Sequence, residues 1–230
     1  MVGVDELRTE VSTRADRLGL PRWPAPRPPM ASPRDEEYSR VTEPGRYRIV
    51  HERARIWTQA LTEVLDVTAS QLAPGTWQGL GSLDHFDRGV RLSAALPGTL
   101  DLVLLELDVV PFGGPAGAVL PVLGISADRP DVSVTVQPDC GCDACDSGSA
   151  DLLAAIDEPI MALIGGPYVI LHAERWHAQW HPGGGQSSSD GDGPDHRELM
   201  QLCVRLAAGE SVELPHDATA LIGRSWLSSH

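Results

Sequence analysis

Three of the four cysteines in this chain lie within six residues, at Cys140, Cys142 and Cys145. The spacing C-x-C-x2-C allows three thiolates to bind one metal ion, and zinc prefers four sulfur or nitrogen ligands in a tetrahedral arrangement. The sequence therefore predicts a zinc site that still needs a fourth ligand. Four residues could supply it, and the sequence does not decide between them: Cys203, His172, His177 and His181. The predicted metal ligands are the three cysteines together with His177.

Redox chemistry is the competing interpretation, because Cys142 and Cys145 also form a C-x-x-C motif. Three acidic residues flank the sulfurs, namely Asp139, Asp143 and Asp146, and their charge should raise the thiol pKa values and disfavour a reactive thiolate. A bound divalent cation reverses this effect, since negative neighbours then stabilise the ion. The pattern favours metal binding over redox chemistry, and three thiols without a special role are the third interpretation.

The histidines do not match a known catalytic motif. His177 and His181 are not spaced as in the His-Glu-x-x-His helix of zinc proteases, and on a strand they would form a polar stripe with Gln179. The G-x-S-x-G, P-loop and G-x-G-x-x-G motifs are all missing. The chain contains no lysine, which excludes Schiff-base chemistry through that residue. Enzymatic activity therefore has no motif support, and no catalytic residue can be assigned.

The chain is strongly acidic. Its 230 residues carry 32 acidic and 18 basic side chains, a net charge of −14. Nucleic-acid phosphates and anionic lipids would repel such a surface, so we expect no nucleic-acid or membrane partner. Residues 1–55 hold 11 arginines and 9 acids, whereas residues 130–174 hold eight acids and no arginine. This acidic stretch contains the cysteine loop, and it predicts a bound cation or a basic protein partner, with the arginine-bearing N-terminal arm as the nearest candidate.

The location of the protein decides how the cysteines are interpreted. The N-terminus has neither a basic segment nor an apolar one, so no secretory signal is visible. Residues 109–127 are mostly apolar, but Pro111, Pro115 and Pro121 argue against a membrane span. We therefore expect a cytoplasmic protein, in which cysteines are reduced or metal-bound rather than paired in disulfides.

Hydrophobic periodicity predicts the elements that position these groups. Helical spacing indicates helices at residues 4–18, 49–72, 149–165 (interrupted at Pro159), 196–208 and, more briefly, 217–223. Two-residue periodicity indicates strands at residues 90–94, 100–110, 119–126, 132–136 and 167–181. The sequence thus predicts an α+β fold, in which an antiparallel β-meander of four to six strands is packed by three or more helices.

The chain divides into two predicted parts. Residues 1–46 form an N-terminal helix and a proline-rich arm, with six prolines between residues 21 and 33. Residues 47–230 form a single α+β domain. Glycine, serine and aspartate dominate residues 182–195, which predicts a flexible loop there.

Three segments together resemble an uncharacterised actinobacterial family known only as a domain of unknown function. They are the Cys-Gly-Cys-Asp-x-Cys-Asp loop within residues 138–146, the Tyr-Ser-Arg-Val-Thr segment at 38–42 and the Trp-His-Ala-Gln-Trp-His stretch at 176–181. The resemblance covers roughly residues 38–180. It implies no activity and no catalytic residue. The use of arginine in place of lysine agrees with high-GC coding in such an organism.

Three hypotheses of function follow. The first is a cytoplasmic, non-enzymatic binding or regulatory protein with a structural zinc in the cysteine loop. The second is a metal-dependent hydrolase, in which the bound metal and His177 or His181 activate water. The third is an acidic protein of the immunity type that binds a basic partner.

Overall fold

The computed structural model describes residues 3–28, 31–77, 83–189, 193–215 and 217–227. The helices in these ranges are α1 (Val4–Arg17), α2 (Ile49–Val64), α3 (Ser149–Gly165) and α4 (His196–Ala207), with short 3-10 helices at Asp35–Ser39 and Pro44–Arg48. The strands are β1 (Val67–Leu72), β2 (Gly75–Thr76), β3 (His85–Phe86), β4 (Arg88–Ala94), β5 (Leu102–Val109), β6 (Leu120–Ala127), β7 (Ser133–Gln137), β8 (Tyr168–His172), β9 (Trp176–His181), β10 (Gly184–Ser189) and β11 (Thr219–Gly223). All pair antiparallel, which confirms the α+β prediction. Nowhere in the described ranges is a helix both long and apolar enough to cross a membrane.

The larger sheet contains five strands in the order β1-β4-β5-β6-β7. Every residue of β6 is buried, as are the first four residues of β5, from Leu102 to Leu105. Burial on both faces explains why these two strands are almost continuously apolar, as is typical of central strands. Helix α2 packs against β6, and α3 packs against β6 and β7. The cysteine loop leaves the sheet at the end of β7, an edge strand.

A smaller sheet has the order β10-β9-β8-β11 and forms a second hydrophobic core with α4. The buried residues of this core are Val169, Leu171, Ala173, Trp176, Ala178, Leu199, Cys203 and Leu206. Because a turn separates β8 from β9, the side-chain phase changes between them. His172 therefore lies directly opposite His177, and Ile170 opposite Gln179, on the face that points away from α4. A single strand over residues 167–181 would have placed His172 on the same face as Trp176 and Trp180, which is wrong for this reason.

The sequence-based boundaries were wrong in three other places. Helix α2 ends at Val64, and the predicted last turns are strand β1, whose Val67 pairs with Ala94. The predicted loop at 182–195 contains β10, which pairs with β9 along its whole length. The predicted short helix at 217–223 is β11, which pairs with β8. Strand β10 pairs with β9 through backbone hydrogen bonds. Its glycine and serine residues do not alternate between apolar and polar side chains, so the sequence pattern of a strand is missing.

Helix α1 is part of the main core. Its Leu7 and Val11 are completely buried, together with side chains of α2 and α3. Beneath it, Arg53 of α2 forms a bidentate ion pair with Asp157 of α3, with 2.8 Å between Arg53 Nε and Asp157 Oδ1. The indole of Trp57 donates to the same carboxylate at 2.7 Å, and Arg53 also donates to the Val11 carbonyl at 3.3 Å. One buried ion pair thus links three helices.

The close contact between β6 and Trp77 gives a first prediction. A Cβ atom at Gly124 would lie 2.5 Å from Trp77 Cζ2, and Trp77 is buried in the core. We therefore expect Gly124→Ala to lower the free energy of unfolding by about 1–3 kcal/mol through overpacking. Urea denaturation measures this change. Gly45→Ala is the control, because a Cβ there meets nothing within 4 Å, and equal effects of the two substitutions would contradict the prediction.

Candidate metal centre

The three clustered cysteines come together in the loop between β7 and α3. The sulfur atoms of Cys140, Cys142 and Cys145 all lie within 4.8 Å of one another. Cys142 is buried, whereas Cys140 and Cys145 are exposed. In the described part of the chain, this is the one group of three or more histidine, cysteine or acidic side chains with such a spacing. The loop therefore offers three converging sulfur ligands at the protein surface.

Backbone amides stabilise negative charge on these sulfurs. The amides of Ala144 and Cys145 donate to Cys142 Sγ, and the amide of Cys142 donates to Cys140 Sγ. Burial alone would raise the pKa of Cys142, but these amides and the neighbouring thiols of Cys140 and Cys145 lower it overall. Cys142 is therefore the thiol in the cluster that ionises first.

The other two thiols resist ionisation. Burial raises the pKa of Cys145 to about 12, together with the hydrogen bond and charge of Cys142. Burial also raises the pKa of Cys140, and the nearby charge of Cys142 adds to it. Besides burial, the negative charge of the first thiolate opposes ionisation of the other two thiols. A bound divalent cation would offset much of this repulsion. The electrostatics of the cluster would therefore favour a bound divalent cation over three free thiolates.

Glycines shape the loop. A Cβ atom at Gly141, between the first two cysteines, would overlap the Leu120 side chain at the start of β6. Gly148 has φ +93, and a Cβ atom there would lie 2.6 Å from the backbone nitrogen of Ala25. The loop is thus pressed against β6 on one side and against the N-terminal segment on the other.

The segment of residues 20–46, here called the arm, holds the loop through its acidic residues. Asp143 accepts hydrogen bonds from Arg40 Nε at 2.7 Å and from the Thr42 amide at 2.9 Å, and also from the Thr42 hydroxyl. Burial of Asp143 would raise its pKa, but these hydrogen bonds and the charge of Arg40 hold it below its usual value. In return, the Asp143 amide donates to the Arg40 carbonyl at 2.8 Å.

Asp146 makes the second set of contacts with the arm. Its buried carboxylate accepts from the Trp23 indole at 2.9 Å and from Arg46 Nη2 at 2.6 Å, and it also accepts from the Gly148 amide at 2.9 Å. The Arg46 guanidinium lies over the Trp23 ring, 4.8 Å from its centroid. Arg27 also donates to the backbone carbonyls of the loop, including that of Asp143 at 3.1 Å. The arm therefore follows the cysteine loop closely along its outer side.

These contacts change the electrostatic picture drawn from the sequence. Two of the three acids that flank the sulfurs, Asp143 and Asp146, form ion pairs with Arg40 and Arg46. Both arginines belong to the arginine-bearing arm, the segment that the charge distribution named as the nearest candidate. The acids that would have surrounded the thiols with negative charge serve instead to fasten the arm.

The candidates for a fourth ligand lie elsewhere. His177, on β9, lines a cavity of about 420 Å³ together with His172, Gln179 and Asp139, the residue before Cys140. Burial lowers the pKa of His177, and the charge of His172 lowers it further. None of these residues has a ligand atom within the 4.8 Å cluster of sulfurs.

The other two candidates for the fourth ligand, Cys203 and His181, pack against other parts of the protein. Cys203 is completely buried in the second core, where burial raises its pKa to about 11. His181 lies parallel to the Tyr168 ring, with 6.0 Å between the ring centroids. Neither residue joins the three clustered sulfurs.

The residues of the arm that contact the loop were not identified from the sequence. Trp23, Arg40, Thr42 and Arg46 lie at least 100 residues before the acids that they contact. The available signal was the charge asymmetry, since residues 1–55 are rich in arginine and residues 130–174 contain none.

The burial of Asp146 gives a second prediction. Asp146→Ala removes the acceptor for Arg46 and Trp23, so we expect the free energy of unfolding to fall by about 1.5–3 kcal/mol and the arm to detach. Urea denaturation measures the first effect, and the rate of trypsin cleavage in the arm measures the second. Asp151→Ala removes an exposed acid from the same region and should cost less than about 1 kcal/mol. If the two variants behave alike, Asp146 does not hold the arm.

Comparison with known proteins gives a family without an assigned activity. Residues 9–230 match the model of a family of unknown function (DUF6226). This confirms the resemblance to a domain-of-unknown-function family. No curated protein and no solved structure matches the chain.

Proposed function

The chain belongs to this family of unknown function, and we propose that it is a non-enzymatic binding or regulatory protein whose cysteine loop binds a structural zinc ion. The observation that carries the proposal is the convergence of three sulfurs within 4.8 Å. Amide donors to Cys140 and Cys142 add to it, because such hydrogen bonds stabilise thiolates in the form that binds metal. Zinc is the proposed ion, since it combines a preference for thiolate ligands with a structural role in small loops.

The proposed role of the ion is to keep the loop in the shape that the arm recognises. Arg27 donates to the backbone carbonyl of Asp143, and Arg40 and Thr42 bind its carboxylate, all between Cys142 and Cys145. A metal bound by both cysteines would fix the backbone of this segment. Loss of the ion would therefore weaken the attachment of the arm as well as the loop itself.

His177 is the proposed fourth ligand. It lines the same cavity as Asp139, which directly precedes Cys140 in the chain. Burial lowers the pKa of His177, which favours the neutral imidazole that binds metal. Cobalt substitution tests the assignment, because replacing a nitrogen ligand by water changes the visible spectrum of the ion. An identical cobalt spectrum for His177→Ala would remove His177 from the site.

Metal analysis tests the proposal directly. We expect about one zinc per chain. When a chelator removes the ion, the melting temperature should fall by about 5–10 °C, the effect expected when the free zinc concentration had been about 100 times the Kd. Trypsin should then cleave the arm faster after Arg40 and Arg46, which are followed by Val41 and Tyr47. The chain has no lysine, so trypsin reports on arginines alone. Purified protein without metal and with an unchanged melting temperature in added zinc would overturn the proposal.

One observation favours a second candidate, a metal-dependent hydrolase. The cavity of about 420 Å³ that His177 and His172 line has Asp139 at its edge, beside the exposed Cys140. A metal with an open coordination position could activate water there, with His177 as the proton acceptor. This candidate predicts hydrolysis of p-nitrophenyl acetate by the zinc-loaded protein, with loss of the activity in His177→Gln. Equal rates for the two proteins would exclude it.

A further inference from the structure

A second cavity, of about 670 Å³, lies between α3, β7 and the face of the smaller sheet that points away from α4. This volume is within the range of about 300–1,000 Å³ that small-molecule sites occupy. Its lining contains no residue of the cysteine loop and not His177, so no proposed zinc ligand lines it. The residues that decide its chemistry are Tyr168, Gln179, His181 and Glu158.

Two buried side chains form a fixed set of hydrogen-bond acceptors in the wall of this cavity. The Tyr168 hydroxyl donates to Gln179 Oε1 at 2.6 Å, and Gln179 Nε2 donates to the Val134 carbonyl at 3.0 Å. Burial raises the pKa of Tyr168, which keeps its hydroxyl protonated. Because the proton of Tyr168 is already used, its oxygen and Gln179 Oε1 offer only lone pairs, while Gln179 Nε2 keeps one further hydrogen.

His181 adds an aromatic surface. The Gly183 amide donates to His181 Nδ1 at 3.2 Å, so in the neutral ring the proton lies on Nε2. Burial lowers the pKa of His181, which favours this neutral form. The ring is parallel to that of Tyr168, within 3°. A ligand in the cavity would therefore meet two aromatic rings that carry no charge.

The charge of the lining is negative. Glu158, on the exposed side of α3, is the one acidic residue among the lining residues, and arginine is missing from them. Within the described ranges, Glu158 forms no ion pair and no side-chain hydrogen bond. Its carboxylate is thus available to a ligand at the mouth of the cavity.

From these features we propose that the cavity binds a small organic cation that carries an ammonium group. Glu158 would pair with the ammonium, and the oxygens of Tyr168 and Gln179 would accept further hydrogen bonds from the ligand. The rings of Tyr168 and His181 provide a surface for the methylene groups, and the Tyr168 ring is also a partner for the charge. An anionic ligand would meet a carboxylate and no compensating arginine.

Calorimetric titration with three probes of similar length tests the proposal. They are 1,4-diaminobutane, the neutral 1,4-butanediol and the anionic succinate. We expect the diamine to bind at least tenfold more tightly than the diol, and succinate not to bind. Failure of the diamine to bind, or equal affinities for diamine and diol, would overturn the proposal.

Two variants separate this site from general attraction of cations by an acidic protein. Glu158→Gln should weaken binding of the diamine at least fivefold. Asp151→Asn removes the same charge from an exposed position of the same helix, outside the cavity, and should leave the affinity within twofold of the original. Equal losses in both variants would show that the diamine binds through net charge alone, which also overturns the proposal. The zinc content of the protein should be the same in both variants.

Discussion

Replacing Cys142 with serine should lower the affinity for zinc at least about a hundredfold. Cys142 is the buried member of the cluster, and its sulfur accepts the amides of Ala144 and Cys145. A serine hydroxyl stays protonated at neutral pH and is a much poorer zinc ligand than a thiolate, so two of the three protein sulfurs would remain. Competition with a chromophoric chelator measures the affinity, and trypsin cleavage of the arm measures the structural consequence.

The fourth cysteine provides the matched control for this experiment. Cys203 is buried in the second core and does not belong to the sulfur cluster. Cys203→Ala should therefore retain the full zinc content, although it loses some packing between α4 and the smaller sheet. If Cys142→Ser binds zinc as tightly as Cys203→Ala, the cysteine loop is not the metal site.

The second large effect is expected at the buried ion pair between α2 and α3. Among the described residues, Arg53→Ala leaves the buried Asp157 carboxylate with only Trp57 as a side-chain hydrogen-bond partner, so the free energy of unfolding should fall by about 3–5 kcal/mol. Urea denaturation followed by circular dichroism measures this. Arg55→Ala, two residues away on the same helix, removes exposed ion pairs with Glu52 and Glu106 and should cost less than about 1 kcal/mol.

A double variant distinguishes the cost of an isolated charge from the value of the pair. Replacing both partners, as in Arg53→Met with Asp157→Leu, leaves no buried charge, so most of the lost stability should return. A double variant as unstable as Arg53→Ala would show that the loss came from packing around Val11 and Trp57 instead. The zinc content should not change in any of these variants, because the pair lies outside the cysteine loop.

Sequence patterns predicted the parts of this fold in which the type and spacing of the side chains indicate whether they are buried or what they bind. The apolar run from Leu102 to Leu105 indicated a central strand, and the spacing of Cys140, Cys142 and Cys145 indicated converging sulfurs. Strand β10 carried no such information, because glycine and serine do not show which face is buried. Its position follows from backbone pairing with β9, which local sequence does not encode.

The contacts of the arm were beyond prediction for a different reason. Ion pairs such as Arg46 with Asp146 join residues 100 positions apart, and any of 18 arginines could have paired with any of 32 acids. The net charges of two segments decide whether the segments attract each other, but they do not decide which arginine pairs with which acid. The acidic stretch of residues 130–174 indicated a cationic neighbour, and the fold selected Arg40 and Arg46 as its neighbours.

The attachment of the arm also has a consequence for the order of events during protein synthesis. The arm leaves the ribosome before the cysteine loop, and its anchors at Asp143 and Asp146 are made about a hundred residues later. At translation rates of roughly 5–20 residues per second, Trp23 and Arg46 wait on the order of 5–20 s before a binding surface exists for them. The newly made arm is therefore accessible to chaperones and proteases during that interval, and completion of the cysteine loop ends it.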